Sequence, residues 1–240
     1  MANVSVVVPA YNEAEGVEQL RNKLLPVLDR IAARHAVELV LIDDGSTDAT
    51  FERLSEAFGD RPATRIIRHP QNRNLGGAIR TGVRESSGEW IANLDSDCTY
   101  DPAILEPLLT FMENGADLVT VSPYHPDGRV VGVPAYRLFL SRAAGGLYRL
   151  ILGANIHTYT AMVRVYRRDV YEHIASPDSG FTAVADMMLR AIKQRRRVAE
   201  VPAELSVRRF GQSKLRIATV IAGHLRLMTR LILRPRSFCV

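Results

Sequence analysis

Three aspartates, Asp95, Asp97 and Asp101, fall within seven residues in the stretch EWIANLDSDCTYDP. Carboxylates this close repel one another and resist desolvation, so a chain that gathers them needs a compensating charge. An Asp-x-Asp pair presents hard oxygen ligands, and two carboxylates nearly offset one divalent cation. Mg²⁺ and Mn²⁺ take such ligands and share them with substrate phosphates. Asp95 and Asp97 are therefore the candidate metal ligands, whereas Asp101, just before Pro102, starts the next helix. A second acidic stretch is LIDDGSTDAT. Gly45 permits a tight turn there, and Ser46, Thr47 or Asp48 can cap the helix that follows. Capping does not require two adjacent acids before the glycine. Asp44 is suited to accept from a nucleobase or from ribose hydroxyls. A third stretch, NRNLGGAIRTG, sets Gly76 and Gly77 at a turn entering a helix. Such turns cradle phosphates or let a helix pack closely on a sheet, and this one matches neither the dinucleotide fingerprint nor the P-loop.

The elements that must position these groups can be read from periodicity. Val4–Val8, VELVLID, TRIIRHP, EWIANL and DLVTVS read as strands. Between them lie amphipathic stretches of helical spacing, such as Leu20, Leu24, Val27, Leu28 and Ile31, with Pro26 as a candidate kink. Strands alternating with helices through about residue 122 predict an α/β fold of parallel βαβ units in a single domain. Right-handed crossovers then bring the strand C-terminal ends to one edge, where open sheets bind ligands. Pro9–Glu13, Asp43–Asp48 and Asp95–Asp97 each follow a strand, so one cleft collects them. The second half is less regular: PAYRLFLSRAAGGLYRLILG and VADMMLRAIKQ read as helices, and strand-like segments lie in HTYTAMVRVYRRDV, RVAEVPAEL and SVRRF.

Composition narrows the class. The chain has 240 residues, 47% hydrophobic and 24% charged, as expected of a globular protein. Its apolar runs are shorter than the ~18 residues of a membrane span, and its N-terminus has no basic segment before the first apolar run. Two cysteines, Cys98 and Cys239, make no disulfide framework, which fits a cytoplasmic setting. The net charge of +5 is uneven: residues 1–60 hold eleven acidic and five basic side chains, residues 190–240 two acidic and thirteen basic. A basic C-terminal quarter suits phosphate-bearing partners. Nucleic acid is not expected, because no known motif or aromatic–basic interleaving is present. From Lys214 to Arg234 a helix would align Ala218, Ile221, Leu225, Met228 and Ile232, with Arg216, Arg226, Arg230 and Arg234 on another face. That stripe fits either a helix lying peripherally on the inner face of the cell membrane or one packed on the domain.

VSVVVPAYNE, LVLIDDGSTDAT, NLGGAIRTG and GEWIANLDSD, in this order, resemble the nucleotide-sugar half of inverting family-2 glycosyltransferases of the GT-A fold. VPAYRLFLS, TAMVRVYRRDV, VADMML, EVP and RRFGQSK extend the resemblance, toward dolichol-phosphate mannose synthases and other polyprenyl-phosphate glycosyltransferases, over residues 4–216. The resemblance implies a GT-A catalytic domain over 1–213, with a donor half (1–122) and an acceptor half (123–213), and a basic amphipathic helix over 214–240. Pro9, Ala10, Tyr11, Glu13 and Asp44 would line the nucleoside pocket, with Gly76 and Gly77 on the donor side. Asp95 and Asp97 would hold Mg²⁺ or Mn²⁺ on the diphosphate of a GDP- or UDP-linked sugar. Arg137 and Ser141 would hold the acceptor phosphate, and as i and i+4 they share a helix face. Arg208, Ser213 and Lys214 would close over the donor phosphates.

Departures cluster on the acceptor side. The family often has Ser-Arg-Tyr where this chain has Ser122-Pro123-Tyr124, which removes an arginine that Arg129 could replace. Thr99 stands where Gln is common, and Tyr159 where small residues are usual. The expected reaction moves a hexose to a polyprenyl-phosphate or other lipid-linked acceptor. Two alternatives stand beside it. One is a hydroxyl-bearing small molecule or glycolipid as acceptor, with Asp186 as general base, although Asp186 can equally be a helix carboxylate hydrogen-bonded to a loop. The other is a non-catalytic nucleotide-sugar-binding subunit.

Overall fold

The computed structural model describes residues 2–208 and 217–238. The chain runs β1 (Asn3–Ala10), α1 (Val17–Ala32), β2 (Ala36–Asp43), α2 (Thr50–Phe58), β3 (Thr64–Arg68), α3 (Asn74–Glu85) and β4 (Trp90–Asn93). It continues through α4 (Leu105–Glu113), β5 (Leu118–Ser122), β6 (Arg129–Val130), α5 (Ala135–Leu152), β7 (Arg164–Arg167) and α6 (Arg168–Ile174). The last elements are α7 (Thr182–Lys193), β8 (Val198–Pro202), β9 (Glu204–Leu205) and α8 (Ile217–Leu233). Seven strands form one sheet in the order β3-β2-β1-β4-β7-β5-β8, and β6 pairs with β9 beside it. This is the mostly parallel, helix-flanked sheet expected of the GT-A class.

Alternation along the strands builds two cores. Val4, Val6 and Val8 face the layer of α1, α2 and α4, whereas Val7 faces the layer of α3, α6 and α7. Pro26 lies inside α1 without ending it. Pro26 and Asn22 are both exposed, so water can satisfy the carbonyl that loses its donor. Gly82 lets α3 settle onto the sheet: a Cβ there would lie 2.2 Å from Cγ1 of Val7.

Two topological features place the site. The neighbours of β1 are β2 and β4, so the chain order reverses there and leaves a crevice at the strand C-terminal ends. β7 is wedged antiparallel between β4 and β5. Its N-terminal end therefore reaches the functional edge, with Asn93, Arg164, Thr120 and Glu200 in one row across four strands.

α8 docks through Leu227, Met228 and Leu231, with Arg230 paired to Asp186 of α7 and His224 bonded to Tyr148 of α5. Of the expected apolar stripe only Met228 is buried, while Ile221, Leu225 and Ile232 remain exposed. The Arg230–Asp186 pair and the close approach of Gly223 to Thr182 lie on the side that faces inward.

Gly82→Ala should lower stability by about 1–3 kcal/mol, because overpacking against Val7 outweighs the better helix propensity of alanine. Urea unfolding would show a lower midpoint at unchanged slope. A midpoint at or above wild type would mean that the α3–β1 contact yields easily.

Candidate active site

The loop after β1 and the loop after β2 are stitched together. The Asn12 and Glu13 amides donate to Ser46 Oγ and Thr50 Oγ1, and the Thr47 amide donates to Asn12 Oδ1. Gly45 turns at φ 71°, and a Cβ there would collide with the backbone of Gln71. Asp48 accepts from the Thr50 amide at the start of α2, one of the caps expected from sequence. Pro9 and Ala10 are buried at the end of β1, and the Ala10 carbonyl accepts from the Asp44 amide at 2.8 Å.

Asp44 is buried, and its Oδ1 meets His69 Nδ1 at 2.6 Å and the Arg73 amide at 2.9 Å. Burial pushes its carboxyl above the ordinary value against the pull of His69 and the amide. The far nitrogen of His69 meets Thr81 Oγ1 at 2.9 Å. Sequence reasoning did not single out His69. Its signal was a histidine just past the end of β3, at the same edge as the other site groups. Gly76 is packed rather than open: its amide donates to the Ser179 carbonyl, and a Cβ would meet the Asp178 carbonyl at 2.5 Å. Beside it, a Cβ on Gly77 would meet the Arg73 side chain.

At the crevice the structure gathers Glu13, Asp95, Asp97 and Arg208. One Arg208 nitrogen lies 3.2 Å from Glu13 Oε1 and another 2.5 Å from Asp97 Oδ2. Asp97 Oδ1 accepts from the Thr99 amide, and the Thr99 carbonyl accepts from both the amide and the hydroxyl of Ser206. Those bonds draw the segment after β9 over the aspartates. Burial, and next the charge of Asp97, push the Asp95 carboxyl up to about 8, with Arg208 opposing. Arg164, fully buried on β7, donates to the carbonyls of Ala161 and Val184 and adds its positive charge near Asp95. The donor set fits a divalent cation on chemical grounds: two adjacent carboxylates with surplus negative charge, held at present by a guanidinium. Among the described residues no third acidic, histidine or cysteine ligand completes a cage, so remaining ligands would be substrate oxygens and water.

Other expected residues lie elsewhere. Tyr11 is half-buried just beyond β1. Arg137 and Ser141 sit one turn apart on α5, Ser141 half-buried, and the adjacent Arg142 stacks on Tyr124. Arg129 is exposed on β6. Asp186 is 1% exposed, accepts from Ser176 Oγ and pairs with Arg190 and Arg230. It borders a cavity of about 720 Å³ with Asn74, Thr182, Arg226 and Arg230, which none of Glu13, Asp95 and Asp97 lines. Ser213 and Lys214 lie outside the described residues.

The sequence description of Glycosyl transferase family 2 matches residues 5–175, well over half the chain. This chain belongs to glycosyl transferase family 2. A dolichol-phosphate mannosyltransferase of Pyrococcus furiosus is 29% identical over 90% of the chain and 60% of its own length. The chain thus spans well under two thirds of that relative. A polyprenol monophosphomannose synthase of Mycolicibacterium smegmatis is 32% identical over 88% of the chain and 80% of its own length. Glucosyl-3-phosphoglycerate synthase of Mycobacterium tuberculosis, crystallised with Mn²⁺, UDP and its glucosylated product, shares the fold with a TM-score of 0.70. That match covers 99% of this chain and 80% of the other at 22% identity, and a crystal of the same enzyme holds Mg²⁺ and UDP.

The raised Asp95 carboxyl gives a signed pH dependence. The folded metal-free protein keeps a proton that the unfolded chain loses near pH ~4. The associated stability is therefore complete below about 4 and is lost as pH rises toward about 8. Asp95→Asn should melt higher than wild type at pH 8 in EDTA and converge with it near pH 4. Equal melting at both pH values would remove the argument for charge crowding.

Proposed function

We propose that this glycosyltransferase moves a hexose from a nucleoside-diphosphate sugar to a polyprenyl phosphate at a membrane surface, with inversion at the anomeric carbon. The observation that carries the proposal is the group of Glu13, Asp95, Asp97 and Arg208 at the β1–β4 crevice. Asp95 and Asp97 would hold Mg²⁺ or Mn²⁺, which supplies positive charge to the departing diphosphate. Asp44 and the walls formed by Pro9, Ala10 and Tyr11 take the nucleoside, with His69 holding the Asp44 carboxylate in place. Arg208, which pairs with Glu13 and Asp97, turns to the diphosphate when the donor enters. The acceptor phosphate oxygen attacks the anomeric carbon as the bond to the diphosphate oxygen breaks, and the electron pair leaves with the nucleoside diphosphate.

A phosphate acceptor is supported by the names of the two curated relatives. It is already anionic at neutral pH, so no proton has to be removed by a base. Such chemistry is compatible with an Asp186 carboxylate whose oxygens are engaged by Ser176, Arg190 and Arg230. Membrane contact is supported by exposed apolar side chains on two adjacent helices. α5 leaves Phe139 72% and Leu150 81% exposed, and α8 leaves Leu225 56% and Ile232 60% exposed. Tyr148 and His224 join these helices, and the exposed Arg226 and Arg234 can meet anionic headgroups. Among the described residues no helix is long and apolar enough to cross a membrane.

Calorimetry with GDP and with UDP, each with Mn²⁺ or EDTA, tests the donor site. One nucleotide should bind only with metal, and Asp97→Asn should abolish that binding while circular dichroism stays unchanged. Wild-type affinity in Asp97→Asn would sink the donor assignment. Transfer of label from the matching sugar nucleotide to farnesyl phosphate then tests the acceptor, and transfer only to alcohols would replace it with a hydroxyl acceptor.

A further inference from the structure

A pair of histidines stands on the acceptor side with no role in the donor site. His157 lies in the segment between α5 and β7, and His125 in the loop after β5; their rings meet edge to face at 5.6 Å. His157 Nδ1 lies 2.8 Å from Glu200 Oε2. Glu200 is nearly buried and also accepts from the His157 and Thr158 amides, so it fixes both the backbone and the ring. His125 Nδ1 accepts from the Asp127 amide at 3.2 Å, with the Asp127 carboxylate 3.5 Å away. Both Nδ1 atoms are thus committed to protein partners. Both rings are partly exposed, 28% for His125 and 21% for His157, and no partner is present for either Nε2 among the described residues.

Their surroundings tie the pair to the reaction centre. Ser122 Oγ and Thr158 Oγ1 are bonded at 2.8 Å, which joins the two loops. A Cβ on Gly145 of α5 would lie 3.0 Å from the His157 carbonyl, so the pair rests on the helix that carries Ser141 and Arg142. Tyr124, next to His125, lies under Arg142. Glu200 stands in the row of Asn93, Arg164 and Thr120 at the edge of the sheet, and Arg164 of that row lies near Asp95. The titratable groups that meet His157 are Glu200 from β8 and His125 from the β5 loop; Asp127 meets His125, and the phenol of Tyr159 lies near Glu200 and Arg149. Arg149 of α5 donates to the neighbouring Ile156 carbonyl.

We infer that His125 and His157 form a clamp for the phosphate of the acceptor, each offering an Nε2–H donor to its oxygens, His125 as the neutral ring whose Nδ1 accepts from the Asp127 amide and His157 as the imidazolium whose Nδ1–H is taken by Glu200, with Glu200 as the positioning residue. This assignment rests on the phosphate acceptor proposed for the enzyme. An imidazole with its near nitrogen held by a buried carboxylate presents its far nitrogen in one direction, and as an imidazolium it is both donor and cation. The shared chemistry is a phosphate monoester dianion beside an exposed apolar surface.

The test is acceptor kinetics with farnesyl phosphate across pH 5.5–8.5, on wild type, His157→Asn, His125→Asn and Glu200→Gln. The acceptor KM of wild type should rise as pH is raised and the His157 imidazolium gives way to the neutral ring. At pH 6 His157→Asn should raise it about tenfold or more, the loss of one charge-assisted hydrogen bond, and flatten its pH profile. His125→Asn should raise the acceptor KM to a smaller extent and leave the pH profile in place, because the neutral ring held by the Asp127 amide already carries the Nε2–H donor. Glu200→Gln should also raise the acceptor KM and alter that profile. The donor KM should stay within about twofold in all three, since none touches the donor cluster. A wild-type acceptor KM and pH profile in both histidine variants would overturn the clamp while leaving the phosphate acceptor standing. If wild type fails to glycosylate farnesyl phosphate, the acceptor assignment falls instead. Histidine NMR with the same ligand then decides the clamp by itself: shifts at His125 and His157 support it, and unmoved resonances end it.

Discussion

Negative charge at the β1–β4 crevice is the constraint around which the rest is arranged. Glu13, Asp95 and Asp97 come from two loops that meet only because the sheet order reverses there. Bringing them together costs Coulomb energy, which the fold offsets with two arginines of different kind. Arg164 is permanent: it is fully buried and tied to the carbonyls of Ala161 and Val184. Arg208 is peripheral, and its two ion pairs hold the segment after β9 against the mouth of the site. One cation is thus part of the wall, and the other bridges carboxylates of two loops at the mouth of the crevice.

The supports of Asp44 follow the same logic. A buried carboxylate keeps one orientation when its oxygens are engaged by fixed donors. Here one oxygen is taken by His69 and the Arg73 amide, and His69 is itself held by Thr81 of α3. The α3 helix is in turn seated on β1 through Gly82. A chain of close contacts therefore runs from the interior of the sheet to a single oxygen atom at its edge.

Much of this was legible in the sequence, for a physical reason. Residues at strand ends in successive βαβ units share an edge, so Glu13, Asp44 and the Asp95/Asp97 pair could be gathered by periodicity alone. Three features could not. The direction of β7 depends on the path of the chain through α5, which no local pattern encodes, and with it went the role of Arg164 beside Asp95. The His69–Asp44 bond joins residues whose separation of 25 positions carries no period. The side of α8 that faces inward was left open by a helix that is apolar on more than one side, and Arg230 and Gly223 choose among them by tertiary contact. Asp186, weighed as a base, is hydrogen-bonded to Ser176 in the loop after α6, in the manner of its structural alternative.

The antiparallel β7 has a consequence for how such a protein can change over time. Glu13, Asp44, Asp95 and Asp97 reside in loops that leave β1, β2 and β4, all within the first hundred residues. The facing wall is supplied by the segments on either side of α5, which return to the sheet through one short strand of four residues. Insertions or replacements in those segments can be absorbed before Arg164 without shifting the register of β1, β2 and β4. Lineages descended from one ancestor can therefore keep the carboxylate cluster of the crevice unchanged while the wall that faces it diverges, and the histidines and tyrosine on this wall mark where such divergence would be recorded.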